Sequence, residues 1–151
     1  MQAHARMPGA GFTLTEMIVV VMVLSVLAVV VMPRMSGRSD FDTQALHDRA
    51  LAAVRYAQKV AVAQNTTVFV FTAGNVLSLC FDAGCAVAVN DPAATLALTV
   101  AAPSGTTLTS SAGSFSFDGL GRPSGGAVTF TVGGTPTRTF TVEQETGYVH
   151  P

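Results

Sequence analysis

Only two cysteines, Cys80 and Cys85, occur in 151 residues. Two are too few for a disulfide framework, and their separation suits neither a zinc site nor a C-x-x-C redox motif. Charge is scarce as well: 11% of the residues are charged, well below the usual quarter, and the net charge is −1. No global field therefore selects an acidic or a basic partner. From residue 64 onward there is no lysine, and Arg122 and Arg138 stand against Asp82, Asp91, Asp118, Glu143 and Glu145, a net of −3. Phosphate backbones are bound by basic patches, and two arginines make a poor groove, so a nucleic-acid partner is not expected. His4, His47 and His150 are scattered, with no ligand cluster or nucleophile signature around them. The glycine-rich "GLGRPSGG" lacks the lysine and spacing of a phosphate loop and reads as a link between strands. Glu143 and Glu145 point the same way on a strand and read as solvated acids. No catalytic residue, metal site, cofactor site or small-molecule substrate site emerges.

Apolar residues, by contrast, make up 49% of the chain and gather near its start. Phe12 to Met32 is a run of 21 residues with one charge, Glu16. As an α-helix it is roughly 30 Å long, close to the hydrocarbon thickness of a bilayer. Its many valines are mediocre helix formers in water, but lipid enforces the helix, because backbone groups find no water there. A cleaved secretory signal has a shorter apolar core, and its small-x-small site follows that core; here the A-x-A-like spacing precedes it. An ordinary signal anchor matches the length but leaves Glu16 unexplained. A carboxylate in the apolar zone costs about 2.5–3.5 kcal/mol at the centre and less near the interface. A processing site ahead of the run would leave the hydrophobic segment in the mature protein.

The residues "GFTLTE" followed by that run resemble the N-terminus of type IV pilins and type II secretion pseudopilins. The resemblance implies cleavage by a prepilin peptidase between Gly11 and Phe12, methylation of Phe12, and an assembly role for Glu16. Glu16 would be the fifth mature residue, where the family has a glutamate. In a filament of stacked subunits it would meet the terminal amine of a neighbouring Phe12. Within its own chain, an acid near a helix N-terminus is favoured. The leader "MQAHARMPGAG" departs from the family in lacking a basic residue beside the cut. Arg6 biases the leader to the cytoplasm, with Arg34 and Arg38 opposing it at the far end.

A second resemblance covers most of the chain, more loosely over 72–103. "FDTQALHDRALAAVRYAQKVAVAQ", "FSFDGLGRPSGG", "AVTFTVGGTPTRTFTV" and "ETGYVH" are similar to the GspH/FimT group of minor pilins. "MPRM" and "RYAQKVAVAQ" resemble its MshC-like branch, from the biogenesis of the mannose-sensitive haemagglutinin (MSHA) pilus. The group implies a structural subunit, not an enzyme, with no cofactor. It would assemble with other major and minor pilins or pseudopilins to start or cap a type IV, MSHA-like pilus or a type II secretion pseudopilus. It would sit single-pass in the inner membrane with its head in the periplasm. Two other readings are a tip module that binds DNA or an adhesion target, and an unrelated membrane anchor that keeps its leader.

Pro33 lacks an N–H and should kink or end the first helix. Ser39 and Asp42 have capping-box spacing, so a second helix restarting there and one bent helix both stay open. Leu46, Ala50, Ala53, Ala57 and Val60 recur at helical steps with Gln44, Asp48, Arg55 and Lys59 opposite, giving an amphipathic helix to about Gln64. Beyond it, "TTVFVF", "NVLSLCF", "TLALTV", "SFSF", "AVTFTV", "TRTFTV" and "GYVH" read as short strands separated by glycine turns. The expected fold class is α+β: a long N-terminal helix, membrane-spanning then amphipathic, on a small antiparallel sheet or sandwich. The divisions are a leader at 1–11, a filament-core helix at 12–32, a kinked stem at 33–64 and a periplasmic β-rich head at 65–151. In a periplasmic head Cys80 and Cys85 are expected as a disulfide, two free thiols being the alternative.

Overall fold

The computed structural model describes residues 13–31, 38–94 and 96–151. Gly11, Phe12 and Pro33, the positions expected to carry cleavage, methylation and a kink, lie outside the described residues. The chain divides after residue 37 into two compact units.

The first unit contains helix α1, Leu14–Val31, eighteen residues and so about 27 Å long. Its described side chains, through Leu27, are all exposed within the chain, and nearly all are apolar on every side of the helix. A helix that is apolar all round belongs in surroundings that cover every side of it. Ser25 satisfies its hydroxyl internally, donating to the Val21 carbonyl at 2.7 Å. Among the described residues, no helix is long and apolar enough to cross a membrane. The 12–32 run extends past α1 at both ends.

The second unit opens with helix α2, Arg38–Gln64. Ser39 and Asp42 both lie inside it, so their spacing does not mark its start. Its end is built on Asn65, whose φ of +47° is left-handed. The Thr66 N–H reaches back to the Ala61 carbonyl at 3.1 Å, which is the Schellman way of satisfying a terminal carbonyl. The periodic face is buried as expected: Leu46, Ala50, Ala53, Ala57 and Val60, joined by Val54 and Ala61.

Eight strands follow: β1 Val68–Ala73, β2 Val76–Cys80, β3 Thr99–Ala101, β4 Thr107–Ser110, β5 Ser114–Phe117, β6 Val128–Gly133, β7 Arg138–Val142 and β8 Val149–His150. They form two four-stranded antiparallel sheets, ordered β3-β2-β1-β5 and β4-β6-β7-β8. The chain passes to the second sheet at β4, returns for β5 beside β1, and completes the second sheet with β6 to β8. The β6–β7 hairpin read from "AVTFTVGGTPTRTFTV" is present, with Phe130 opposite Phe140. The β1–β2 turn uses Gly74 and Asn75, both left-handed at +58° and +64°, the backbone a two-residue hairpin turn requires.

Two strand expectations change. "TLALTV" gives β3 only Thr99 and Val100, with Ala101 added after it, because 96–98 turns back on 89–91, with the Leu98 N–H on the Val89 carbonyl at 2.8 Å. β4 is an additional strand, and its one buried apolar residue is Leu108. Helix α2 packs against strands of both sheets. Rings link the layers: Phe117 lies edge-on to Phe115, Phe115 to Phe130, and Phe130 stacks on Phe140 at 4.7 Å.

Phe130 is fully buried at the centre of this chain of rings. Phe130→Ala should cost about 3–5 kcal/mol, the usual range for a buried phenylalanine. A urea unfolding curve checks this: the midpoint should fall while the slope stays the same.

Candidate functional site

Glu16 lies in the first turn of α1. Thr13 precedes the helix, and its Oγ1 accepts from the Glu16 N–H at 3.3 Å, as an N-cap does. Its carbonyl accepts from the Glu16 and Met17 N–H groups at 3.1 and 3.2 Å. "TLTE" thus has capping-box spacing, a signal the sequence carried and which shows why the helix begins here. The cap uses the backbone of Glu16. Its exposed carboxylate has no hydrogen bond or ion pair among the described residues. A carboxylate at the N-terminal end of an apolar helix is a ready acceptor for a cation from outside the chain.

In the second unit, polar ties fix the stem helix to its sheets. His47 is buried against the second sheet, with Nε2 3.4 Å from the Thr139 carbonyl and its ring edge-on to Phe140. The sequence shows no cluster around it, because its neighbour Phe140 is 93 residues away in the chain. Next to it, a hydrogen bond from Gln44 Nε2 at 2.9 Å, then one from His47, hold Asp48 below the usual carboxylate range. Arg55 donates from both Nε and Nη2 to the Val149 carbonyl, at 3.1 and 2.7 Å. Gln58 Nε2 donates to the carbonyls of Gly121 and Thr146, each at 3.0 Å. Gly147 sits so close to the Gly121 carbonyl and Gln58 that a side chain there would displace one of them.

Arg122 and Arg138 are not neighbours. Arg138 precedes Thr139 at His47, whereas Arg122 follows Gly121 at Gln58, about 16 Å further along the helix. Arg122 also lies 3.9 Å from Asp118. "GLGRPSGG" is the link between β5 and β6, shaped by Asp118 Oδ1, which accepts the Leu120 and Arg122 N–H groups at 2.9 and 2.8 Å. Glu143 and Glu145 fall in the turn after β7 and not on a strand, and Glu143 pairs with His150 at 2.8 Å. Cys80 and Cys85 are joined as a disulfide in the structure, with Cα atoms 5.1 Å apart. The loop between them is organised by Asp82, whose carboxylate accepts from the Gly84, Ala86 and Val87 N–H groups. Those bonds hold Asp82 below its usual range, the Ala86 bond contributing most. Among the described residues, no group of three or more His, Cys, Asp or Glu side chains could hold a metal ion.

The chain thus has an exposed apolar helix and a head tied to its stem helix, and family comparison says which kind of protein carries them. The family model "Type II transport protein GspH" matches residues 48–146, and "Prokaryotic N-terminal methylation motif" matches 6–32. The chain belongs to the GspH family. The GspH match spans most of α2 and every strand but β8, so the stem and head are one family unit. The fold is similar to that of the type IV minor pilin FimU of Pseudomonas aeruginosa PAO1. One FimU crystal form shows 18% identity over 71% of this chain and 90% of that one, with a TM-score of 0.56. It is also similar to the minor pseudopilin EpsH from the type 2 secretion system of Vibrio cholerae, at 13% identity over 74% of this chain and 94% of that one, with a TM-score of 0.55. Comparison with curated proteins gives no match. The GspH chain is a minor pilin- or pseudopilin-like assembly subunit of a structural family, and its methylation motif marks it as membrane-anchored.

The Glu143 carboxylate, then the Pro151 carbonyl, raise the pKa of His150 above its ordinary 6.5. The pair is fully stabilising below about pH 6.5 and loses its contribution as pH rises through the raised folded-state value. Urea midpoints at pH 5.5 and 8.5 should therefore show a larger fall for the native chain than for Glu143→Gln.

Proposed function

We propose that this chain is a minor pilin or pseudopilin whose work is packing. A prepilin peptidase cuts between Gly11 and Phe12 and methylates Phe12. The 12–32 segment holds the protein in the inner membrane with the head in the periplasm. The subunit then joins other pilins or pseudopilins to start or cap a filament, and it carries out no catalysis. The observation that carries this reading is Glu16: a capped helix start whose carboxylate has no partner among the described residues, inside the methylation-motif match. In a filament, the neighbouring Phe12 amine supplies the missing cation, and the pair sets the register of one subunit on the next. The oxidising periplasm keeps the Cys80–Cys85 bond closed. The net negative head argues against DNA as a ligand. The MshC-like resemblance favours a pilus as the filament.

Mass spectrometry of the intact N-terminus, on protein from its native membrane with and without prepilin peptidase, tests the processing. The expected peptide begins at a methylated Phe12 and disappears without the peptidase. A chain that keeps residues 1–11 in peptidase-positive cells is an ordinary anchor.

Glu16→Ala tests the register role separately. It should leave processing and head folding intact and lower incorporation into sheared filaments by about tenfold or more, as for the loss of a charge pair held out of water. Equal incorporation of the variant would show that Glu16 merely sits at the interface.

A further inference from the structure

Each sheet has two edges, and an open edge strand offers unpaired N–H and C=O groups to any extended chain. In an antiparallel pair, alternate residues turn their backbone groups toward the partner and away from it. At β8, Val149 points outward, and Arg55 covers its carbonyl. The outward Leu108 N–H of β4 is covered by the Asn75 Oδ1 at 3.2 Å. At β5, Ser116 points outward, and Ser124 covers it, donating its N–H to the Ser116 carbonyl at 2.8 Å and accepting the Ser116 N–H on Oγ at 3.0 Å.

Outward groups also stay open at Ser110 on β4 and Ser114 on β5, but on the fourth edge, β3, none is covered among the described residues. The Ala102 N–H bonds the Asn75 carbonyl at 2.9 Å, which fixes the alternation: Val100 turns to β2, and Thr99 and Ala101 turn outward. No hydrogen bond among the described residues reaches those outward groups. This edge lines a groove of about 420 Å³ whose other wall is α2. Ala52, Ala53 and Tyr56 form the helix side, Leu98 and Val100 the strand side. The small alanines leave room for an incoming side chain. Arg49 stands in the same groove with no hydrogen bond or ion pair among the described residues. Asp91, the groove's acid, is occupied with its own turn, accepting the Ala93 N–H at 2.8 Å.

We infer that the β3 edge is a docking site for an extended segment of a partner chain, which adds as a fifth strand beside Thr99–Ala101. The segment has alternating apolar residues that enter the groove and an acidic residue that meets Arg49. Backbone hydrogen bonds to Thr99 and Ala101 hold it, and the apolar pocket and the Arg49 charge select it. The inference rests on the assembly reading only for the identity of the partner as another filament subunit. The site itself is tested without a filament.

The processed full-length chain in detergent is titrated with the acetylated peptide Thr-Val-Thr-Val-Thr-Glu-amide, whose valines and glutamate share one face of a strand, and hydrogen–deuterium exchange is read by mass spectrometry. Exchange over 98–102 should slow at least about fivefold, and little elsewhere in the head. A peptide with lysine in place of its glutamate should bind about tenfold more weakly. Arg49→Glu should reverse that preference, which a merely structural role for Arg49 would not do. Ala101→Pro removes an outward N–H and spares the pairing with β2, so it should abolish the slowing. If Ala101→Pro fails to fold, the charge reversal still decides. No slowing over 98–102 at 1 mM peptide overturns the inference, as does slowing that neither Arg49→Glu nor Ala101→Pro alters. Slowing that depends on protein concentration without peptide would also overturn it, since a second copy would then be the occupant.

Discussion

The alanines of α2 set the distance at which everything else meets. Ala50, Ala53, Ala57 and Ala61 are each almost wholly buried on one side of the helix. Small side chains let the helix axis lie close to both sheets, so one helix serves as the lid of two four-stranded layers. The close approach continues at the loops. Gly134 lies against Thr43 near one end of the helix, and Gly121 against Val62 near the other, where any side chain would push the helix away. The rings of Phe115, Phe117, Phe130 and Phe140 then fill the space between the layers.

Much of the head was legible because its patterns are strong. The spacing of Leu46, Ala50, Ala53, Ala57 and Val60 named the buried face of α2, and the threonine alternation around Phe130 and Phe140 named the β6–β7 hairpin. Weak patterns failed for physical reasons. β4 carries a single apolar anchor, Leu108, between threonines, so no alternation announces it. β3 is short because its neighbours 96–98 are claimed by a local hairpin. Glu143 follows the last residue of β7, and its partner His150 returns from the next turn. His47 showed no neighbours in the sequence because its surroundings come from β7, distant in the chain.

At the N-terminus the position is reversed. Thr13 and Glu16 announce a helix start by their spacing alone, yet the described side chains of α1 are all exposed. Its apolar surface and the Glu16 carboxylate find no complement among the described residues. Local chemistry explains why the helix begins; the motif, and not the packing, points to its use. In a structural family such as this one, function resides in which surfaces are left uncovered. The Phe-lined interior is closed, while α1 and the β3 edge are not.

The three ties from α2 to the far end of the chain have a mechanical consequence. His47, Arg55 and Gln58 reach Thr139, Val149, Gly121 and Thr146 at successive heights along the helix. A tension applied along the helix axis loads these bonds in shear, sharing the force among them, and does not peel them open singly. The head therefore resists being stripped from its stem by a pull along α2. It yields more readily to a sideways pull on the 143–150 segment, which opens the ties to Thr146 and Val149 one after the other.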